Sequence, residues 1–271
     1  MANSHHKFQK IPIKITAQRI TNLAKRYIEM RSRVKHIEEI EQDPRFKNLG
    51  FSTDYIQEFF KKNTQPIRTS LKPVRDIYRS DLGELLLTMY FDQEYDNWGE
   101  SFVIPLKNIW DREHNDMPGR GIDVTGYKKD SGTIQILLGE AKVSAEKKSP
   151  PQVSNEIYKE QIKYTNTDKS YLKRRLANYS KKLEAEDAAT VTLVLMALDI
   201  KGMETIYQLV YGCCVVRDTN CFKNTDFGKM KNKQHEFSPD RINYIIPVFD
   251  QPIKNVVDLF YKAVDKEING R

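Results

Sequence analysis

The sequence predicts an α/β fold, in which a mixed central sheet is flanked by helices and preceded by a helical N-terminal region. Residues 190–200, TVTLVLMALDI, form an almost unbroken apolar run, which favours a strand buried on both faces of a sheet. The segments GIDVTGY and TIQILLGEAKV are typical of two strands joined by a turn-forming loop. The chain closes with apolar residues at helical spacing. Helices and strands that follow one another in this way indicate layers packed on a mixed sheet.

The first elements along the chain are predicted to be helices. Apolar residues recur every three or four positions from Ile20 to Ile37, a seam that packs against another helix, and Pro44 would end it. A second, short helix is expected over STDYIQEFF, with Ser52 or Thr53 as its N-cap.

A boundary is predicted after these helices. Residues 61–73, KKNTQPIRTSLKP, have the composition of a polar linker punctuated by proline. We therefore expect a helical N-terminal region over residues 1–72 and a main domain over residues 73–271.

The main domain is predicted to alternate between helices and strands. Its expected elements, in chain order, are a helix near 80–91, strands at 102–106, 121–127 and 133–143, two helices within 151–186, strands at 190–200, 207–216 and 243–249, and a final helix. The apolar stripe of that final helix comprises Ile253, Val256, Val257, Phe260, Tyr261 and Val264.

The composition bounds the class of protein. The chain is 39% hydrophobic and 30% charged, which is ordinary for a soluble globular protein. Its apolar runs are too short to span a bilayer, and its polar first residues do not predict a signal peptide. The three cysteines are clustered and odd in number, which disfavours a disulfide framework and indicates a reducing compartment. These features predict a cytoplasmic protein with no membrane partner.

The charge is mildly basic and unevenly distributed. The net charge is +7, so a polyanion such as DNA is a plausible partner. One stretch carries eight basic residues: Lys159, Lys163, Lys169, Lys173, Arg174, Arg175, Lys181 and Lys182. Four tyrosines are interleaved with them: Tyr158, Tyr164, Tyr171 and Tyr179. Either the basic groups, Lys173, Arg174 and Arg175 foremost, bind phosphates while the tyrosines stack on bases, or the face is solvated and the tyrosines point to the core.

An acidic and basic cluster is predicted on the paired strands. Glu140 and Lys142 are two positions apart, so their side chains point to the same face. If the loop between the strands has an even number of residues, paired residue numbers sum to 261. Asp123 then lies opposite Leu138, with Glu140 as its diagonal neighbour about 7–8 Å away.

The residue types in this cluster suit phosphodiester hydrolysis. Two carboxylates can ligate one Mg²⁺, with Mn²⁺ as a substitute, and the ion would polarise a phosphate and activate water. Lys142 would stabilise the negative charge that develops in the transition state or orient that water. The alternative is an exposed strand face on which Glu140 and Lys142 form an ordinary ion pair.

These residues also resemble a known family. Asp123, followed 17 positions later by Glu140-Ala141-Lys142, resembles the PD-(D/E)xK nuclease signature, a D…ExK set on two adjoining strands with a helix ahead of them. The blocks RSDLGELLLTMYF, MPGRGIDVTGY and LLGEAK more specifically resemble the HamA family, nuclease subunits of the Hachiman anti-phage defence system. The similarity covers roughly residues 75–145 and, more loosely, the C-terminal part.

The resemblance implies a restriction-endonuclease-like fold and assigns roles to residues. It implies that Asp123 and Glu140 bind the metal, that the carbonyl of Ala141 is a further ligand, and that Lys142 is the catalytic lysine. It also implies one more acid on the preceding helix, a place that Glu84 fits. The sequence departs from the signature at Ile122, where the proline that names the motif would stand.

For two of the candidate residues the sequence allows a role outside the site. Asp81 and Glu84 have the spacing of a capping box, in which Glu84 would only bond back to the Asp81 backbone. Arg120, between two glycines ahead of Asp123, could contact a substrate phosphate or be a solvated loop arginine.

The cysteines are not expected to bind zinc. Cys213 and Cys214 are adjacent on a predicted strand, so their side chains point to opposite faces and cannot easily share one tetrahedral ion. We expect these two residues and Cys221 to be small buried hydrophobic groups instead.

Three hypotheses about function follow from these observations, and the first two compete most directly. The first is a Mg²⁺-dependent DNase effector that acts with, and is restrained by, the helicase subunit HamB, a partner that the resemblance implies. The second is a non-catalytic nucleic-acid-binding or scaffold subunit of the same kind of complex. An RNA-directed or restriction-type nuclease of the same fold is a third hypothesis. No Walker-type glycine loop is present in the sequence, so the chain is not expected to hydrolyse ATP.

Overall fold

The computed structural model describes residues 6–65, 72–94, 99–106, 109, 122–166 and 169–270. The strands in these residues are β1 (Lys7–Ile13), β2 (Val124–Asp130), β3 (Thr133–Val143), β4 (Tyr207–Asp218) and β5 (Arg241–Phe249). The α-helices are α1 (Ala17–Ser32), α2 (Ile37–Gln42), α3 (Pro44–Asn48), α4 (Thr53–Asn63), α5 (Lys72–Phe91), α6 (Gln152–Gln161), α7 (Ser170–Ser180), α8 (Ala185–Ala197), α9 (Gly228–Asn232) and α10 (Ile253–Asn269). Short 3-10 helices cover Ile162–Thr165, Asn224–Phe227 and Gln234–Phe237. No helix in these ranges combines the length and the apolarity that crossing a bilayer requires.

The strands form one mixed sheet, in the order β1-β5-β4-β3-β2. Neighbours from β1 to β3 pair in parallel, and β2 pairs antiparallel with β3 at the edge. β4 and β5 are buried along nearly their whole length, as expected for parallel strands covered on both faces. The predicted fold class, a mixed α/β sheet with helices around it, is confirmed.

A helical layer covers each face of the sheet. On one face α1, α5 and α10 pack together, with Leu82, Leu86 and Phe260 in the shared core. On the other face α6, α7 and α8 pack, with Ile157 and Leu176 in the second core.

The adjacent cysteines divide between these cores. Cys214 belongs to the first core and Cys213 to the second, as their opposite directions on β4 require. Cys221 is buried as well, and burial raises the pKa of each of the three thiols.

The predicted strand at residues 190–200 is wrong, because this segment forms most of helix α8. Val191, Val194 and Ala197 are buried at helical spacing, whereas Met196 points outward and is 57% exposed. A continuous apolar run fits a half-exposed helix as well as a buried strand, and periodicity alone does not separate the two. The 13-residue length of α8 is that of a helix.

The N-terminal part is less purely helical than predicted. β1 is the parallel edge strand beside β5, and His6 Nδ1 accepts a hydrogen bond from the Ile242 amide at 3.1 Å. His6 is therefore bonded to the start of β5. The predicted helix near Ile20 is α1, which ends at Ser32 rather than near Asp43.

Other predictions for single elements have mixed outcomes. Helix α4 begins where predicted, with the Ser52 side chain accepting a hydrogen bond from the Tyr55 amide. The expected strand at residues 102–106 is reduced to isolated bridges at Phe102 and Val103. The domain boundary predicted near Lys72 remains a prediction, although β1 on the N-terminal side of it completes the sheet.

Candidate active site

A tight turn sets the register of the two strands that carry the candidate site. Ser131 and Gly132 connect β2 to β3, both with positive φ (46° and 89°), which matches the twist of a hairpin. The loop is even, as predicted, but paired numbers sum to 263 and not 261, since Val124 pairs with Gly139. The register prediction is thus off by two, because the turn begins one residue later than assumed.

Asp123 lies one residue ahead of β2, at the end of the ladder. Its amide donates to the Gly139 carbonyl at 3.0 Å, and its Oδ2 accepts from the Ala141 amide at 2.7 Å. These two bonds fix the carboxylate against β3. Burial raises the pKa of Asp123 well above its usual value, and the nearby charges of Glu140 and Glu84 raise it further. Asp123 therefore shares its surroundings with two other acidic residues.

Glu140 and Lys142 form an ion pair, with Lys142 Nζ at 2.7 Å from Glu140 Oε1. Burial raises the pKa of Glu140, although Lys142 acts in the opposite direction. Burial alone would lower the pKa of Lys142, but the acids around it, Glu140 foremost and then Asp123 and Glu156, together outweigh burial and the pKa is raised. Lys142 is therefore a cation at neutral pH, suited to stabilising negative charge rather than to accepting a proton.

Glu84 reaches this cluster from helix α5. It is buried, and Ser80 Oγ donates to its Oε1 at 3.3 Å. A close approach of α5 to β3 brings it there: a Cβ on Gly83 would meet Val143 Cγ2 at 3.0 Å. The influence of Glu84 on the pKa of Asp123 places these two carboxylates in one electrostatic environment.

The capping-box hypothesis for Glu84 is wrong. Asp81 is not an N-cap, since α5 begins at Lys72 and Asp81 lies in the interior of the helix. Its side chain is fully buried and accepts a 2.6 Å hydrogen bond from the Tyr27 hydroxyl. Asp81 therefore joins α5 to α1, and the spacing from Asp81 to Glu84 has no capping function.

The donor set fits a hard divalent cation. Asp123, Glu140 and Glu84 offer carboxylate oxygens, the ligands that Mg²⁺ prefers. Burial raises the pKa of Asp123 and Glu140, so a bound cation would offset the cost of ionising them. Within the ranges that the structure describes, no three His, Cys, Asp or Glu side chains converge as ligands of one ion. Mg²⁺ does not require such a cage, because it commonly takes one or two carboxylates together with water and substrate phosphate.

Helix α6 contributes residues that the sequence reasoning missed. The charge of Glu160 on α6 and that of Lys163 on the following 3-10 helix act on Glu140, and that of Glu156 on α6 acts on Lys142. Buried Gln161 donates to the Leu138 carbonyl at 3.0 Å, and its Oε1 has no hydrogen-bond partner in the described residues. A glutamine on the sheet-facing stripe of an amphipathic helix is the signal that could have identified it.

The predicted DNA-binding residues on α7 differ in their surroundings. Lys173 is ion-paired with Asp199, and Arg175 lies over the Tyr171 ring and contacts its hydroxyl at 3.0 Å. Arg174 is exposed, and Arg120 lies outside the described residues.

The interleaved tyrosines pack inward. Tyr164 is buried, Tyr158 and Tyr171 pack against the second core, and Tyr179 donates to the Thr125 carbonyl at 2.7 Å. The tyrosines of the stretch from 159 to 182 therefore face the core, as one of the two interpretations expects, and phosphate binding by its basic residues remains a prediction.

Comparison with known proteins gives one match. A family model described as HamA matches residues 14–268, a range that contains Glu84, Asp123, Glu140 and Lys142. No curated protein and no solved structure matches the chain. Because the match runs from the end of β1 to the last turn of α10, it covers nearly the whole sequence, and the chain belongs to the HamA family.

Proposed function

We propose that this chain, a Hachiman defence component by its family, is a metal-dependent DNase that cuts phosphodiester bonds at Asp123, Glu140 and Lys142. The observation that carries the proposal is the arrangement at the end of β3. Two buried carboxylates with raised pKa lie beside a lysine that is held protonated. Buried charges are costly to keep together, and such clusters occur preferentially at functional sites.

The acids would hold the metal. Asp123 and Glu140 would ligate Mg²⁺ or Mn²⁺, with Glu84 and the Ala141 carbonyl as further ligands. The bound ion would polarise the scissile phosphate and lower the pKa of a water molecule. The Ala141 amide holds the Asp123 carboxylate through a 2.7 Å bond to Oδ2, so that Oδ1 would serve the ion.

Lys142 would act on the phosphate. Its ammonium would approach a non-bridging phosphate oxygen and stabilise the negative charge that grows in the transition state. Glu140 orients the lysine through the 2.7 Å contact. The Lys142 side chain is 35% exposed, which leaves part of the group accessible to a substrate. Its raised pKa keeps it cationic throughout the neutral range.

The family also implies a setting for this activity. We propose the helicase subunit HamB as the partner that restrains the nuclease and engages DNA with it. The helical N-terminal region would bind the helicase, and the basic face of α7 with Arg120 would contact DNA. Robust cutting of host DNA by the chain alone would contradict the restraint.

A nucleic-acid-binding role without catalysis is the competing function. One observation favours it: Glu140 is already occupied by Lys142, and the described residues contain no converged three-ligand site. Cleavage assays separate the two functions, because a binding subunit would retain DNA affinity but never cut.

The test is plasmid cleavage by the purified chain in Mg²⁺, in Mn²⁺ and in EDTA, repeated with the helicase and ATP. Lys142→Met should lower the cleavage rate by about 100-fold or more while DNA affinity is kept, since it removes one charge-stabilising group. Lys129→Met is the matched control, because this exposed lysine lies at the turn end of the same hairpin. Metal-independent cleavage, or equal rates for both variants, would overturn the proposal, as would the absence of cleavage under every condition.

A further inference from the structure

Six exposed lysines lie on two segments that follow β3 and β4, and we name them the lysine surface: Lys147, Lys148, Lys223, Lys229, Lys231 and Lys233. The acidic residues beside them already have partners, one of which is a lysine of this surface. Glu146 accepts a hydrogen bond from the backbone amide of Gln152 at the start of α6, and Asp226 forms a buried ion pair with Arg217. Glu236 is bound by Lys233 at 2.7 Å. The surface therefore carries a clear excess of positive charge.

Direct contacts hold the two segments side by side. The Arg217 guanidinium donates to the carbonyls of Glu146 (2.7 Å) and Cys221 (2.8 Å), so it binds one residue from each segment. Cys221 Sγ contacts the Ala145 carbonyl at 3.3 Å, and Ser149 Oγ hydrogen-bonds to Asp226. Because these links are buried or partly buried, the lysines are presented by a fixed backbone rather than by independent loops.

Aromatic rings place several of the ammonium groups. Lys229 and Lys233 lie 5.8 and 5.7 Å from the centre of the Tyr158 ring, and Lys231 lies 5.5 Å from that of Phe227. Cation–π contacts of this length hold an exposed lysine without neutralising it. Less side-chain entropy is then lost when a phosphate binds.

The lysine surface and the candidate active site lie on either side of helix α6. Lys147 and Lys148 follow Lys142 within the segment that leaves β3. Helix α6 separates the site from α9, since Glu156 and Glu160 act on the site while Tyr158 contacts the lysines. An α-helix with its side chains is about 10–12 Å across, so a strand lying over α6 would place phosphates at both locations.

We propose that the lysine surface binds the phosphate backbone of the DNA beside its cleavage point. The principal DNA-binding surface is then formed by the segments after β3 and β4 and not by α7. This inference rests on the proposed nuclease function for the identity of the polyanion. It differs from the sequence-based assignment because Lys173 and Arg175 of α7 are engaged by Asp199 and Tyr171.

Binding is measured separately from cleavage, by fluorescence anisotropy of labelled double-stranded and single-stranded DNA in EDTA. The variant is Lys223→Ala/Lys229→Ala/Lys231→Ala, which spares the ion pair of Lys233. We expect affinity to fall about 10- to 100-fold at moderate salt. The slope of log affinity against log salt should become shallower by about 2–3, because three phosphate contacts are lost. The matched control is Lys254→Ala/Lys262→Ala/Lys266→Ala, which removes three exposed lysines from α10 in the opposite layer.

Each outcome decides the inference. It is supported if the first triple variant loses affinity and the control does not. It is overturned if both variants bind as the unaltered chain does, if both weaken equally, or if the unaltered chain binds no DNA. The plasmid assay is independent of this result. If the unaltered chain cleaves DNA but the triple variant binds DNA normally, only the nuclease proposal is supported. If the triple variant loses affinity but the unaltered chain never cleaves, only the DNA-binding inference is supported.

Discussion

Two acidic residues of α5, Asp81 and Glu84, have different surroundings although they are three positions apart. Asp81 accepts a hydrogen bond from the buried Tyr27 hydroxyl and so joins two helices, whereas the charge of Glu84 raises the pKa of Asp123. Sequence spacing alone pairs them as a capping box, and only the position of the helix start separates their roles.

This difference gives a prediction for two matched variants. Asp81→Ala should lower the free energy of unfolding by about 1–3 kcal/mol, because the Tyr27 hydroxyl loses its buried acceptor. Glu84→Ala should lower the cleavage rate by about 10-fold or more, since the site loses one of its acids. Urea unfolding and plasmid cleavage, both measured on both variants, check this. The assignment fails if Asp81→Ala slows cleavage at unchanged stability.

Arg217 is the largest fully buried side chain in the described residues, and it forms an ion pair with Asp226 at 2.9 Å. Arg217→Met should destabilise the protein by about 3–5 kcal/mol, because Asp226 would remain buried without its partner. The double variant Arg217→Met/Asp226→Leu should recover part of that loss. Thermal and urea unfolding of both variants test this, and a double variant no more stable than the single one would contradict the role assigned to the pair.

At the scale of elements, Glu100 joins the sheet to the segment that follows α5. Its carboxylate accepts hydrogen bonds from the guanidinium of Arg241 on β5 at 2.6 and 2.9 Å and from the ammonium of Lys7 on β1 at 2.7 Å. Burial acts to raise the pKa of Glu100, but the bonds from Lys7 and Arg241 outweigh it, and the pKa is lowered. The ionised form is therefore favoured by folding.

The pH dependence follows from that direction. A lowered pKa in the folded state contributes stability above the unfolded pKa of about 4.3, and this stability is lost as the pH falls through the folded value. Glu100→Gln should cost about 2 kcal/mol at pH 7, and the difference from the unaltered chain should shrink below about pH 4. Urea unfolding across a range of about pH 3–8 measures it. A difference that grows in acid would refute the assignment.

The strands of the site could be predicted from the sequence, whereas one helix could not. The β2–β3 hairpin follows from turn residues and alternation, which are local signals. The predicted register differs from the observed one by two in the sum of paired residue numbers, because several adjacent pairs of residues could form the turn. The strand predicted at residues 190–200 is wrong because the apolar run shows no clear period, and only packing against the sheet decides which of its residues are buried.

At the scale of the whole molecule, residues from both ends of the chain complete the fold. β1 pairs with β5, and α1 packs on α10 with the Tyr27 and Phe260 rings 5.3 Å apart. β1 was not predicted, because its sequence KFQKIPI is half polar and edge strands need little apolar patterning. Contacts between residues so distant in the chain leave no local signal.

The predicted boundary near Lys72 can therefore be tested by truncation. A chain of residues 73–271 loses β1 and α1, which exposes the edge of β5 and the apolar stripe of α10. We expect this chain to aggregate or to unfold without a cooperative transition, since an uncovered strand edge invites pairing. Circular dichroism melting and size-exclusion chromatography beside the full chain provide the measurement. A monomeric, cooperatively folded fragment would instead establish an independent domain.

The two-residue turn at Ser131 and Gly132 should restrict insertions and deletions in this hairpin. Exposed hairpin tips are ordinarily places where insertions and deletions are tolerated. Here a change of one residue would shift the alternation and put Ile122 or Val124 where Asp123 now lies, unless a bulge absorbed it. Relatives that keep both acids should therefore differ at this hairpin by even numbers of residues, or carry a compensating bulge. The exposed tip of the hairpin would thus be constrained in length by the acids at its other end, and an alignment of relatives would show this as a preference for even length differences.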